Sequence, residues 1–359
     1  MADPVIRALF HPAPGLAYLD AATYGLPPRP AVEAMDGALR AWQAGTADWV
    51  DDWDRPAEST RADFAALIGA KAGDIALVPA VSTAVGLVAA NLGPDDVVVV
   101  ADDEFTSDLF PILVAQERRG TTVRQVAFDA FVEAIQPGTT LVAFSLVQMQ
   151  TGRVADLAGI CRRAREVGAR VLVDSTHGTP FVPVAAHIAD IDYLICHAYK
   201  HLLGARGTAF LYVRADHVPH LPPIHAGWRS TADPWSTYFG GPLSLAGDAS
   251  RFDVSLAWLP WVATRQSMAL MARWSRDGKL GDALALASDL AIAVGREPTG
   301  SSLVCVPVAD APGARAALAE ARVKAAVRGE NIRFSLHVWN DASDVARAAE
   351  AIRPFISAG

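Results

Sequence analysis

The sequence predicts an α/β fold: a large domain built on a seven-stranded, mainly parallel sheet, followed by a smaller C-terminal α+β domain. Between about Ile75 and Val213, short β-branched runs alternate with helical patterns of ten or more residues, as crossover units require. Most of these runs are almost continuously apolar, the pattern of strands buried on both faces. The length, 359 residues, accommodates about two domains at ~150 residues each.

Taken in order, strands are expected at Ile75–Val78, Val97–Ala101, Thr122–Val126, Thr140–Ser145, Arg170–Asp174, Tyr193–Cys196 and Ala209–Val213. Helices fall between them at Thr83–Asn91, opened by Ser82, at Asp108–Arg119, after Thr106-Ser107, and at Ala155–Val167, ended by Gly168. Pro219 to Arg251 is rich in Gly, Pro, Trp and Ser and reads as a long functional loop. An amphipathic stretch follows from Leu256 to Trp274. Beyond it, strands are expected at Ser302–Val308, Val323–Arg328 and Ile332–Leu336, with helices at Ala311–Ala321 and Ala342–Ile352. The expected large domain covers residues 15–255, and the small one covers 1–14 with 256–359. No internal repeat is present.

Hydrophobic residues make up 52% of the chain and charged residues 19%, which excludes a disordered protein. The net charge of −8 repels phosphate backbones and anionic membranes, so nucleic acid and membrane are not expected partners. Cys161, Cys196 and Cys305 lie far apart without metal-ligand spacing, so no disulfide framework and no metal site are expected. The first residues lack a basic region followed by an apolar stretch, and no run approaches ~18 uninterrupted apolar residues. A soluble, cytoplasmic protein is the expectation.

Val171-Leu172-Val173-Asp174-Ser175-Thr176-His177 is a hydrophobic strand that ends in a carboxylate, with an imidazole three residues later. A second strand, Tyr193-Leu194-Ile195-Cys196, is followed by His197-Ala198-Tyr199-Lys200. In parallel sheets, ligands sit at the strand ends. An Asp and a Lys delivered there suit a pyridine cofactor. Lysine forms a Schiff base with its aldehyde, and the carboxylate keeps the ring nitrogen protonated. Taken singly, each residue has a plainer reading: a capping Asp, a core His and a surface Lys. Their joint arrangement favours the cofactor.

Several separated motifs extend this. Tyr18-Leu19-Asp20-Ala21-Ala22, Asp174-Ser175-Thr176-His177, Tyr199-Lys200-His201-Leu202-Leu203-Gly204 and Arg333-Phe334-Ser335-Leu336-His337 occur in an order that resembles the class V aminotransferase family of fold-type I pyridoxal-phosphate enzymes. That family includes cysteine desulfurases, kynureninases and isopenicillin N epimerases. The resemblance implies pyridoxal 5′-phosphate as cofactor, Lys200 as the Schiff-base lysine, Asp174 as the partner of the pyridinium nitrogen and His177 as a partner of the ring's phenolic oxygen. It places Gln148 near the same oxygen and Phe105 on the ring face. Ser82 and Thr83 take the phosphate at a helix N-terminus, whose free N–H groups attract anions. His197 and Tyr199 also reach the phosphate, although His197 stands where the kynureninase-like pattern has Ser. Arg333 grips the substrate α-carboxylate, for which a guanidinium fork is suited. The family's homodimer brings residues to the neighbour's phosphate, and Gly227 and Ser255 are the nearest matches.

A cysteine desulfurase needs a nucleophilic thiolate just before the carboxylate-binding Arg. The segment Arg322–Asn331 contains no cysteine, so persulfide-forming desulfuration is disfavoured. Transamination of an amino acid leads. Carbon–sulfur cleavage by β-elimination, epimerisation and decarboxylation start from the same adduct and are the alternatives. A nucleotide-binding oxidoreductase is a remoter reading, but no Gly-x-Gly-x-x-Gly turn occurs. A cofactor-binding regulator without turnover is disfavoured by the acidic balance.

Overall fold

The computed structural model describes residues 3–357; Met1, Ala2, Ala358 and Gly359, the outermost residues of the expected small domain, lie outside it. In chain order the N-terminal part comprises α1 (Pro4–Arg7), β1 (Ala17–Tyr18), α2 (Arg29–Ala44) and α3 (Ser59–Ile68). The central part comprises β2 (Ile75–Val78), α4 (Val81–Ala89), β3 (Val97–Ala101), α5 (Thr106–Arg119), β4 (Thr122–Val126), α6 (Phe131–Ala134) and β5 (Leu141–Ser145). It continues with α7 (Leu157–Val167), β6 (Arg170–Asp174), β7 (Tyr193–His197) and β8 (Ala209–Val213). The C-terminal part holds α8 (Trp258–Arg276), α9 (Gly281–Ala293), β9 (Leu303–Pro307), α10 (Ala311–Glu320), β10 (Val323–Lys324), β11 (Ala326–Arg328), β12 (Asn331–Ser335) and α11 (Ala342–Ile352).

The expected seven strands form one sheet in the order β2-β8-β7-β6-β5-β3-β4, and only β8 runs against the rest. Alternation along each strand feeds two cores. Val171 and Val173 enter the layer with Phe144, Leu194 and Phe210. Leu172 enters the opposite layer with Val98, Ala143, Ile195 and the apolar face of α4. From β3 the chain passes to β4 on one side and returns to β5 on the other, so the loops at the C-terminal strand ends diverge and leave a crevice.

The smaller sheet has the order β11-β12-β9. Val304, Val306, Ile332 and Phe334 turn one of its faces into a core with α9, α10 and α11. The expected strand Val323–Arg328 is two strands, because Ala325 breaks the run and β10 pairs instead with β1. Residues 17–20 therefore bond to the C-terminal part, through β1–β10 and the Asp20–Ser335 bridge. Helix α9 is the long element of the C-terminal part that the sequence pattern leaves unassigned. It starts without a side-chain cap and opens on Gly281, although Leu286 and Leu290 carry a one-turn apolar repeat.

The irregular segment after β8 is held by charge. Arg229, 1% exposed, bonds to Asp54, Glu58 and Asp253, and Arg61 bonds to Glu58, Asp253 and the Ile75 carbonyl. The indole N–H groups of Trp235 and Trp258 donate to the Asp54 carboxylate at 3.1 Å each. Breaking a buried ion network by removing one partner strands the other charges without solvent. Arg229→Ala is therefore expected to lower stability by about 3–5 kcal/mol. Denaturant unfolding checks this, and a loss under about 1 kcal/mol would show the network to be dispensable.

Candidate functional site

The C-terminal ends of β3, β5, β6 and β7 converge in the crevice. Asp174, the last residue of β6, lies beside Ser145 of β5 and Ile195 of β7 in the register. Its Oδ1 accepts from Thr176 N at 2.7 Å, and Thr176 Oγ1 accepts from His197 N at 3.0 Å. These bonds fix the carboxylate at the strand end. Lys200 follows β7 by three residues and is 6% exposed. Its Nζ lies 3.1 Å from His177 Nε2 and 5.5 Å from the centre of the Phe105 ring.

Burial pushes the Lys200 amine down to about 8; the Asp174 charge opposes this and the Arg333 charge adds to it. Burial, with the charges of Lys200 and Arg333, holds His177 neutral well below the ordinary histidine range. His177 Nδ1 is buried without a partner. Phe105 is 39% exposed, with its ring beside the Lys200 amine. Gly25 N donates to the Tyr199 carbonyl at 2.9 Å, and a Cβ on Gly25 would overlap the Lys200 carbonyl oxygen. Glycine is what lets the N-terminal segment pass so close to the lysine.

Helix α4 begins at Val81, two residues earlier than expected, so Ser82 does not cap it; Ser82 lies in the first turn and is exposed. Val81 N donates to His197 Nε2 at 3.3 Å. Ser82 and Thr83 carry first-turn N–H groups, which a helix leaves without intrahelical partners. Burial lowers His197 to about 4, so it is neutral, and its Nδ1 is buried without a partner. Tyr199 packs edge-on against His197 at 4.8 Å.

Gln148, 4% exposed, spends much of its amide on its own turn. Its Oε1 accepts from Gln150 N at 2.6 Å and Thr151 N at 2.7 Å, while its Nε2 donates to Asp103 at 2.6 Å. Gly227 and Ser255 are exposed and make no bond with Lys200 or Asp174. Their neighbours His225 and Val254 line a small cavity together with Thr83. Arg333 is 1% exposed; Nη2 donates to Thr23 Oγ1 at 3.1 Å and lies 4.0 Å from Asp20, while Nε and Nη1 have no partner.

Two acidic residues enter the site that sequence reasoning did not single out. Asp108, fully buried, has both carboxylate oxygens without a hydrogen-bond donor, and burial together with the Asp174 and Glu104 charges pushes it well above the carboxylate range. Glu104 accepts from Ser145 N at 2.7 Å and from Ser145 Oγ, and burial raises it too. In sequence Asp108 looks like an ordinary acidic residue in a helix's first turn, and only the fold shows it facing Asp174.

The residues fit pyridoxal phosphate. A buried amine, a fixed carboxylate, a partly exposed aromatic ring and a helix N-terminus surround one crevice, and orphaned polar atoms on His177, His197 and Arg333 lack the partners that buried groups require.

The profile of the aminotransferase class-V family matches residues 17–238. A probable cysteine desulfurase from Methanothermobacter thermautotrophicus is 30% identical over 60% of this chain and 57% of its own length. A kynureninase from Pseudomonas fluorescens is 29% identical over 62% of this chain and 57% of its own. The chain thus aligns with under three-fifths of the length of these curated relatives. Among solved structures, a C-DES variant with glycine covalently linked to its pyridoxal-phosphate cofactor superposes with a TM-score of 0.86 at 21% identity, covering 97% of this chain and 99% of that one.

With Lys200 at about 8, the apoprotein should react with the aldehyde of pyridoxal phosphate at a rate that rises with pH to a midpoint near 8, well below an ordinary lysine. Asp174→Asn removes a charge that favours the ammonium form and lowers the midpoint; Arg333→Gln removes one that opposes it and raises the midpoint. Stopped-flow absorbance reads this, and a midpoint above ~10 would contradict it. The chain belongs to the aminotransferase class-V family, enzymes that depend on pyridoxal phosphate.

Proposed function

We propose that the protein processes a free amino acid at its α-carbon, with transamination as the leading outcome and β-eliminating carbon–sulfur lysis or epimerisation as the alternatives. The observation that carries this is the buried Lys200 amine at the end of β7, 3.1 Å from His177 and under the charge of Asp174. Pyridoxal phosphate, when bound, supplies an electron sink for the bond broken at the α-carbon.

In this reading the chain's residues divide the work. Asp174 would present its fixed carboxylate to the ring nitrogen, while burial and the nearby charges push Asp108 beside it well above the carboxylate range, against a second negative charge. Phe105 offers its partly exposed ring as a stacking platform. The N–H groups of Ser82 and Thr83 take the phosphate dianion at the positive end of α4, with His197 and Tyr199 beside it. His177 stays neutral and hydrogen-bonds the phenolic oxygen, with Gln148 near it. Arg333 turns its two unpartnered N–H positions to the substrate carboxylate. Lys200, partly unprotonated near neutral pH, carries the α-proton.

Persulfide formation has no support in the thiols. Burial pushes Cys161 and Cys305 up to about 12 and Cys196 higher still, and 322–331 has no cysteine. Residues 15–255 would then hold the cofactor, while 256–359 with 1–14 would supply the carboxylate grip. A cytoplasmic homodimer completes the reading. Val32, Leu39 and Trp42 are exposed on one face of α2, beside a groove of about 800 Å³ that reaches Tyr199 and Arg206. Gly227 and Ser255 are exposed for a neighbouring chain.

The cofactor-loaded protein should absorb near ~420 nm, and Lys200→Ala should lose that band. Incubation with individual amino acids should yield the matching keto acid rather than pyruvate with sulfide, a racemised amino acid or an enzyme persulfide. A colourless wild type in the presence of cofactor would sink the proposal. Elimination or racemisation without keto acid would move the reaction to an alternative.

A further inference from the structure

The site-facing side of the small sheet carries more positive charge than one α-carboxylate requires. In the antiparallel register Arg333 pairs with Cys305 and Ala326, and Arg328 pairs with Asn331. Cross-strand partners and i, i+2 neighbours share a face, so Arg328, Arg333 and Cys305 stand on the side opposite the Val304, Val306, Ile332 and Phe334 core.

Arg333 is 1% exposed with Nε and Nη1 unpartnered, and its nearest carboxylate, Asp20, is 4.0 Å away with one oxygen also unpartnered. Arg328, at the exposed end of the hairpin, forms no ion pair with any carboxylate among the described residues. Some exposed arginines pair, as Arg7 does with Asp341, Arg40 with Asp36 and Arg165 with Asp190, and others, such as Arg124 and Arg315, do not among the described residues, so it is the place of Arg328 beside Arg333 that sets it apart. The Arg328 charge nonetheless reaches into the site, where it acts on Asp20, His177 and Arg333. Two guanidinium groups of one face, close enough to repel each other, thus border the site, and Arg333 has one carboxylate, Asp20, 4.0 Å away.

We infer that Arg328 forms a second anion subsite, and that the substrate is an amino acid bearing a second carboxylate: Arg333 takes the α-carboxylate and Arg328 the distal one. This rests on the carboxylate role of Arg333 given above. Burying or bridging one such cation with an anion of fixed spacing adds a charge-assisted hydrogen bond, which a neutral side chain cannot offer. Arg328, being at the rim, also draws dianions toward the mouth in a salt-dependent way.

The test is calorimetric binding of unreactive acids to the cofactor-loaded protein, each dicarboxylate from malonate to adipate against the monocarboxylate of the same length. At the chain length that spans the two arginines, the dicarboxylate should bind at least about tenfold more tightly, an advantage that shrinks with added salt. Arg328→Gln should erase the preference while leaving monocarboxylate affinity within about twofold, and Arg328→Lys should keep part of it. Arg333→Gln should weaken both classes. A wild type with no preference at any length, or a preference that survives Arg328→Gln, overturns the second subsite while Arg333 keeps its role. Affinities for both classes that ignore Arg333→Gln overturn the underlying carboxylate grip. Because Arg328 is exposed, circular dichroism should show Arg328→Gln to be folded, so a changed preference reports binding.

Discussion

The structure depends on keeping one amine dry. Lys200 is the only buried lysine in the chain; Lys71, Lys279 and Lys324 are exposed. Burial favours its neutral form, and the neighbouring Asp174 limits how far that goes, so the amine is poised near neutral pH rather than fixed in either state. Each feature around it serves that balance. Thr176 orients Asp174, Gly25 lets a second segment cover the lysine's backbone, and neutral His177 meets the amine without adding charge.

Charge elsewhere in the site follows the same logic of sharing. Asp108 is buried and Glu104 half-buried near Asp174, and burial with their mutual repulsion raises both Asp108 and Glu104. Burial and the neighbouring charges push Asp108 well above the carboxylate range, and in the proposed reading it is Asp174 that would face the ring nitrogen. Across the crevice, the small sheet divides its faces. Aliphatic side chains bind the helices behind it, and the opposite face carries Arg333, whose charge is felt at the lysine. In the proposed reading the substrate would lie where these two differently built parts meet, one supplying acid groups and the amine, the other supplying cations.

Much of this was legible in the sequence, because the strands are short apolar runs whose ends carry their chemistry. The seven strands of the large sheet, and the delivery of Asp174 and Lys200 to one edge, follow from period and position. What was hidden depends on tertiary contact. Asp108 carries no local mark separating it from a helix-dipole acid. Arg229 sits in an irregular segment whose composition reads as loose, yet its guanidinium is among the most buried groups of the chain. Ser82 looks like a cap, but the helix starts at Val81, two residues earlier than expected, because Ala80 takes the extended conformation of the capping position. The face on which Arg333 lies could not be read from its strand, since a register choice of one residue would reverse it.

The most direct test of the central claim is chemical trapping of the amine. The cofactor-loaded protein is reduced with borohydride, digested and mapped by mass spectrometry. The account predicts a pyridoxyl group on the peptide containing Lys200 in one equivalent per chain. A modification confined to Lys71, Lys279 or Lys324, with Lys200 untouched, would contradict it.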